Sequence, residues 1–156
     1  MKVLYLDKTH PRLQKELKKI GVSNFFDFKS DKTKIEDKIS SYTGIVIRSR
    51  MKIDKKLIDK AINLKFIARI GSGLENIDTA YAKKNKIKII SSPEGNANAV
   101  GEHALGMLLS LINNMYYSQK EVFDVLWLRE SNRGYELKDK VIGIIAGGDE
   151  ALKNSI

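Results

Sequence analysis

GIVIRSRMKIDKKLIDKAINLKFIARIGSG, residues 44–73, is the stretch whose reading decides the fold. Gly44-Ile45-Val46-Ile47-Arg48 is a β-branched run too short for a helix, and so reads as a buried strand. Ile53, Leu57, Ile58, Ala61 and Ile62 then recur at helical spacing. Phe66-Ile67-Ala68-Arg69-Ile70 is a second strand, ending in Gly71-Ser72-Gly73. Two strands joined by a helix-length segment form a parallel pair.

The same alternation runs outward in both directions. Toward the N-terminus, Val3-Leu4-Tyr5-Leu6-Asp7 reads as a strand. Pro11 to Ile20 follows as a helix on Leu13, Leu17 and Ile20, stopped by Gly21. Phe25-Phe26-Asp27-Phe28 is a poorer strand, and Ile35 and Ile39 mark a helix over 33–41. Toward the C-terminus, Ile77, Ala80, Tyr81 and Ala82 suggest a short helix, and Ile87-Lys88-Ile89-Ile90 is the fifth strand. Five such strands predict an α/β fold with a flavodoxin-like, doubly wound parallel sheet.

Composition excludes several function classes. The 156 residues are 42% hydrophobic and 30% charged, ordinary for a globular chain and unlike a disordered one. With no cysteine, a disulfide scaffold, a thiolate zinc site and a thiol nucleophile are all excluded. His10 and His103 are too few for a histidine metal cluster. No apolar run approaches the ~20 residues that span a bilayer, and the N-terminus lacks signal-peptide character, so a cytoplasmic location without membrane contact is expected. The net charge is +9, from 28 basic and 19 acidic side chains. Lysines dominate the basic set and are dispersed along the chain, which reads as a solvated surface and predicts no nucleic-acid partner.

After Pro93 the texture changes. Asn96-Ala97-Asn98 reads as a helix start, and Ala99 through Tyr117 as a long helix apolar on more than one face, which must be covered on two sides. Val122, Phe123, Val125, Leu126 and Trp127 follow, with Trp127 an interface or core anchor, and Arg129 to Gly134 form a polar loop. Val141 to Gly148 reads as a sixth strand, and the chain ends eight residues later.

In doubly wound sheets ligands bind beyond the carboxyl ends of the strands. The third strand runs into Arg48-Ser49-Arg50, two cations flanking a hydroxyl. The fourth runs into Gly71-Ser72-Gly73, where backbone N–H groups can approach an anion. The fifth runs into Ser91-Ser92-Pro93-Glu94-Gly95-Asn96. Together these predict an anion pocket with Arg48, Ser49, Ser72, Gly73 and Asn96 as its substrate-binding residues.

Arg69-Ile70-Gly71-Ser72-Gly73-Leu74-Glu75-Asn76-Ile77-Asp78 and Pro93-Glu94-Gly95-Asn96-Ala97-Asn98-Ala99-Val100-Gly101-Glu102-His103 closely resemble the D-isomer-specific 2-hydroxyacid dehydrogenases. Trp127-Leu128-Arg129, Gly134-Tyr135-Glu136-Leu137 and Lys140-Val141-Ile142-Gly143-Ile144-Ile145 continue the match in order. The resemblance implies a substrate-binding domain over 1–95, a connecting and dimerisation helix and arm over 96–140, and the truncated start of a Rossmann domain over 141–156. It implies NAD(P) as the family's cofactor, a small 2-hydroxy or 2-keto carboxylate as a weak ligand, and a homodimer through residues 99–127. Cofactor-side positions would be Ala99 and, as a vestige, Gly147 and Gly148.

The glycine fingerprint departs from the family's pattern. Ala146-Gly147-Gly148-Asp149-Glu150-Ala151 has alanine where the first glycine should make the tight turn. The family's catalytic arginine, glutamate and histidine have no counterpart here, and His103 reads as a packing histidine. The sequence therefore predicts a truncated, inactive NAD-dependent D-2-hydroxyacid dehydrogenase, without catalytic or metal-binding residues and with no cofactor bound. The alternative is a non-catalytic carboxylate-binding or dimerisation module.

Overall fold

Residues two apart on a strand share a face, and in this protein that alternation separates two cores. In the computed structural model, which describes residues 1–144, Leu4, Leu6, Ile45, Ile47 and Ile67 pack with Ile35, Ile39, Leu57 and Ile58 on one face of the sheet. Val3, Tyr5, Val22 and Val46 fill the other, with Leu17 and Phe66 against them. The chain divides into two compact units, one over Met1–Pro93 and one from Glu94 onward.

The first unit alternates strand and helix: β1 (Lys2–Tyr5), α1 (Pro11–Lys19), β2 (Ser23–Phe26), α2 (Lys32–Lys38), β3 (Gly44–Ile47), α3 (Lys55–Lys60), β4 (Phe66–Arg69), α4 (Thr79–Lys84) and β5 (Lys88–Ile90). All four pairings are parallel, in the order β2-β1-β3-β4-β5. This is the flavodoxin-like, doubly wound sheet expected. Local chemistry sets the helix starts. Asp31, Asp54 and Asp78 each cap a helix by accepting an N–H three residues on, from Lys34, Leu57 and Tyr81; such caps are each worth about 1 kcal/mol. His10 caps α1 from two residues away, its Nδ1 accepting the Arg12 N–H at 3.2 Å.

Among the boundaries that differ from the sequence reading, β1 ends at Tyr5 and not Asp7. The second strand is Ser23–Phe26, not 25–28, because Ser23 and Asp27 both donate to β1 and fix the register two residues earlier. The α2 helix is short, and Ile39–Ser41 tightens into a 3₁₀ turn.

The second unit consists of α5 (Glu94–Ile112) and α6 (Met115–Phe123), then turns to residue 144. The helix starts at Glu94, directly after Pro93, and not near Asn96. Nor is it continuous to Tyr117. Asn114 adopts φ 50°, a left-handed conformation that asparagine tolerates, and Asn113 Nδ2 donates back to the Leu109 carbonyl at 3.0 Å. Neither helix contains a buried residue, so Trp127, 81% exposed, anchors no core of this unit. Residues 141–144 carry no strand. The remainder of the expected sixth strand, with Gly147 and Gly148, lies outside the described residues.

Candidate functional site

The site is assembled at the carboxyl ends of β1, β3 and β4. Leu6 N–H donates to the Val46 carbonyl at 2.9 Å and Ile70 N–H to the Ile47 carbonyl at 2.8 Å, so three strands end level with one another. Asp7 follows β1, and its Oδ2 accepts the backbone N–H of Arg48 at 2.7 Å and of Arg50 at 3.4 Å. One carboxylate thus shapes the 48–50 turn and leaves the Arg48 and Ser49 side chains exposed.

The loop after β4 is tied to that turn. Asn76 Nδ2 donates to the carbonyls of Arg48 and Met51, each at 3.3 Å. Ile53 N–H donates to Asn76 O at 2.8 Å and Asp78 N–H to Ile53 O at 2.9 Å. The loop after β5 joins through Ser92 N–H, which donates to the Gly71 carbonyl at 3.0 Å. Arg48, Ser49, Ser72 and Gly73 accordingly stand on neighbouring, mutually bonded loops. Asn96 and Ala99 belong to the second unit, exposed near the start of α5.

The two arginines flanking Ser49 have different roles. Arg48 makes no side-chain hydrogen bond or ion pair among the described residues and is available to an anion. Arg50 turns its guanidinium inward, onto the carbonyls of Leu6 (3.1 Å), Asp27 (2.5 Å) and Ser30. It stitches the ends of β1 and β2 to the β3 turn and, unlike Arg48, is spent on backbone carbonyls. Arg69, 13% exposed, also folds back, donating to the Ile70 carbonyl at 2.6 Å and approaching Glu75 at 3.6 Å.

Gly71 is required by its backbone: φ is +125°, which an L side chain rarely adopts, and a Cβ there would overlap the Arg69 guanidinium. At Gly73 a Cβ would meet only the carboxylate of Glu75, an exposed side chain that can move. That carboxylate weakens the pull of the 71–73 turn on an anion. The turn also does not suit the pyrophosphate of a dinucleotide: α4 begins only at Thr79, and Glu75 lies between.

The remaining titratable groups serve structure. Burial works against the Asp27 carboxylate, but Lys38 and the N–H groups of Ser30 and Lys29 outweigh it and hold its pKa well below the usual carboxylate range. Glu36, 3% exposed, is lowered in the same way: burial opposes ionisation, and Lys56 and Lys60 of α3 overcome it at 3.1 and 3.4 Å. No group of three or more potential metal ligands occurs among the described residues, and no described helix is long and apolar enough to cross a membrane. Sequence reasoning missed Asp7 and Asn76. A carboxylate directly after the first strand was the available signal for Asp7; Asn76 carried none.

A doubly wound α/β unit with an open, partly cationic set of strand-end loops is the class that the fold and site define. Residues 3–155 match the family described as D-isomer specific 2-hydroxyacid dehydrogenase, catalytic domain, and the chain belongs to it. It is 36% identical over 114 residues to D-3-phosphoglycerate dehydrogenase of Synechocystis sp., covering 73% of this chain and 21% of that protein. Hydroxypyruvate reductase of Thermotoga maritima is 31% identical over 144 residues, 92% of this chain and 46% of that one. The NAD+-bound 3-phosphoglycerate dehydrogenase of Entamoeba histolytica shares the fold with a TM-score of 0.69 and 25% identity, over 90% of this chain and 44% of that one. The chain spans less than half the length of these relatives.

Proposed function

We propose that the chain is the substrate-binding lobe of an NAD-dependent D-2-hydroxyacid dehydrogenase and binds the carboxylate of a small 2-hydroxy or 2-keto acid. Arg48 and the Ser49 hydroxyl would hold it with the backbone of Ser72 and Gly73. The observation that carries this reading is the exposed, unpaired Arg48 on a turn bonded by Asn76 to the loop holding Ser72 and Gly73. With a single available arginine and the Glu75 carboxylate beside Gly73, affinity is weak, about millimolar (roughly −4 kcal/mol).

Acting alone, the lobe turns nothing over and takes no dinucleotide. Proton transfer at the 2-hydroxyl needs a positioned acid–base group. His10 spends Nδ1 on the α1 cap, and His103 is exposed on α5 without a hydrogen-bond partner among the described residues. Mixing the purified chain with NAD(P) and a panel of 2-hydroxy acids is expected to give no reduced cofactor. Titration with a 2-keto acid is expected to shift resonances of residues 48–49 and 72–73; shifts confined to helix surfaces would reject the site.

A second reading, a dimerisation module, has its own observation. Leu111, Tyr116, Phe123, Val125 and Trp127 are 69% exposed or more, a quantity of apolar surface that soluble monomers rarely present together. Two copies joined through residues 99–127 would cover it in the commonest symmetry. Light scattering should return twice 17.6 kDa; a clean monomer mass at micromolar concentration sinks the dimer.

A further inference from the structure

The sheet has two edges, and they are built differently. β5 carries Lys88, exposed, with Lys86 just before it, and charged lysines are a usual protection against unwanted strand pairing. β2, Ser23-Asn24-Phe25-Phe26, has neither a charge nor a proline. Since Ser23 and Asp27 donate to β1, the alternating backbone groups of Asn24 and Phe26 face away from the sheet, toward the open side. Phe25, Phe26 and Phe28 are 38%, 49% and 38% exposed around that edge. Phe26 stacks on Tyr5 at 5.1 Å and on Phe28 at 5.9 Å, so the aromatic surface is supported from beneath.

Beside the edge runs a groove of about 630 Å³ between α1 and β2, lined by Gln14, Lys15, Lys18, Val22, Asn24 and Phe26 among others. Its charged lining is basic. Lys15 and Lys18 form no ion pair among the described residues, whereas the nearby carboxylates are engaged, Glu16 by Lys19 at 2.8 Å and Asp27 by Lys38. A second copy of this strand would bring the same lysines against one another, so charge disfavours self-pairing.

We propose that the β2 edge and its groove bind an extended acidic segment of another protein, which adds a strand to the sheet. Backbone hydrogen bonds to Asn24 and Phe26 would supply register, apolar side chains at alternate positions would pack on Phe26 and Val22, and carboxylates would meet Lys15 and Lys18. This surface lies wholly within the first unit and involves none of the loops after β1, β3 and β4.

The test uses the full chain, isotopically labelled, and an end-blocked seven-residue peptide alternating glutamate with valine. Resonances of residues 14–18 and 22–28 are expected to shift, with a dissociation constant of about 1 mM or tighter. The double variant Lys15→Glu, Lys18→Glu is expected to weaken binding at least tenfold. Should that variant lose its fold, Lys15→Gln, Lys18→Gln is expected to weaken it at least threefold. A peptide with lysine in place of glutamate is expected not to bind. Equal binding of the lysine peptide, shifts confined elsewhere, or no shift at millimolar peptide would each overturn the proposal. So would shifts of the same residues on concentrating the chain alone, which would assign the edge to a second copy.

Discussion

The two units of this chain use apolar residues in opposite ways. Every buried hydrophobic residue of the described chain lies between Val3 and Ile87, in the sheet unit; α5 and α6 bury none, though they are rich in leucine, methionine and tyrosine. In the sheet unit, alternation along β1 and β3 sends each side chain into one of two cores closed by the unit's own helices. In the helical unit the apolar residues surround the helix, and two helices cannot cover each other on every side. The first unit therefore has a core of its own, and the two helices of the second bury none of their side chains.

The sharpest way to break that contrast is to truncate one side chain in each unit. Ile47→Ala or Ile67→Ala, each at a fully buried position, should cost about 2–5 kcal/mol in urea unfolding. Leu111→Ala, 74% exposed, should change the unfolding of the dilute chain by less than about 0.5 kcal/mol. Comparable losses at both positions would mean that the helical unit has a core of its own.

A second test stays inside the sheet unit. Replacing Arg50 by lysine removes the planar fork that reaches three carbonyls, and a single ammonium cannot reproduce it. The expected loss is about 1–2 kcal/mol, from carbonyls left short of donors, together with a weaker 2-keto acid titration as the Arg48 turn loosens. A variant as stable as the parent, with unchanged binding, would show that the loops hold themselves.

Acid should act on the same unit. Asp27 and Glu36 have lowered pKa values in the folded protein, so between the folded and unfolded values the unfolded chain binds more protons. Their contribution is complete above the unfolded carboxylate range, about pH 4, and is lost as the pH falls through the folded values. The urea midpoint should decline below about pH 4, and Asp27→Asn with Glu36→Gln should flatten that decline. An equally steep decline in the double variant would place the acid sensitivity elsewhere.

The smallest expected effect is at Glu75. Glu75→Gln removes the carboxylate beside Gly73 and should tighten 2-keto acid binding about two- to threefold, consistent with a pair that is largely exposed and screened. Weaker binding would mean that the Arg69–Glu75 pair shapes the turn more than it repels the ligand.

Much of the fold was legible because its signals are local. Strand runs of the Gly44–Ile47 type, and an aspartate immediately before α2, α3 and α4, mark their elements within a few residues. The start of α5 lies two residues ahead of the sequence reading because Asn96 and Asn98 resemble a cap, whereas the helix begins at Glu94 directly after Pro93. The break at Asn114 is marked in the sequence only by the Asn113-Asn114 pair, which the apolar run around it outweighs. At the strand ends, the sequence reading singled out Arg48, Ser49, Ser72 and Gly73, which stand on neighbouring bonded loops, but carried no sign that Arg50 turns inward onto three carbonyls.

By itself the sequence determined the order of elements and the parallel sheet, because periodicity and turn chemistry act over neighbouring residues. Only the tertiary structure decided that Arg50 faces inward, that Asp7 and Asn76 hold the Arg48 turn, and that β2 is an edge. Each of these depends on which backbone groups another segment leaves unpaired, and that is set by contacts between residues about 20 to 40 positions apart.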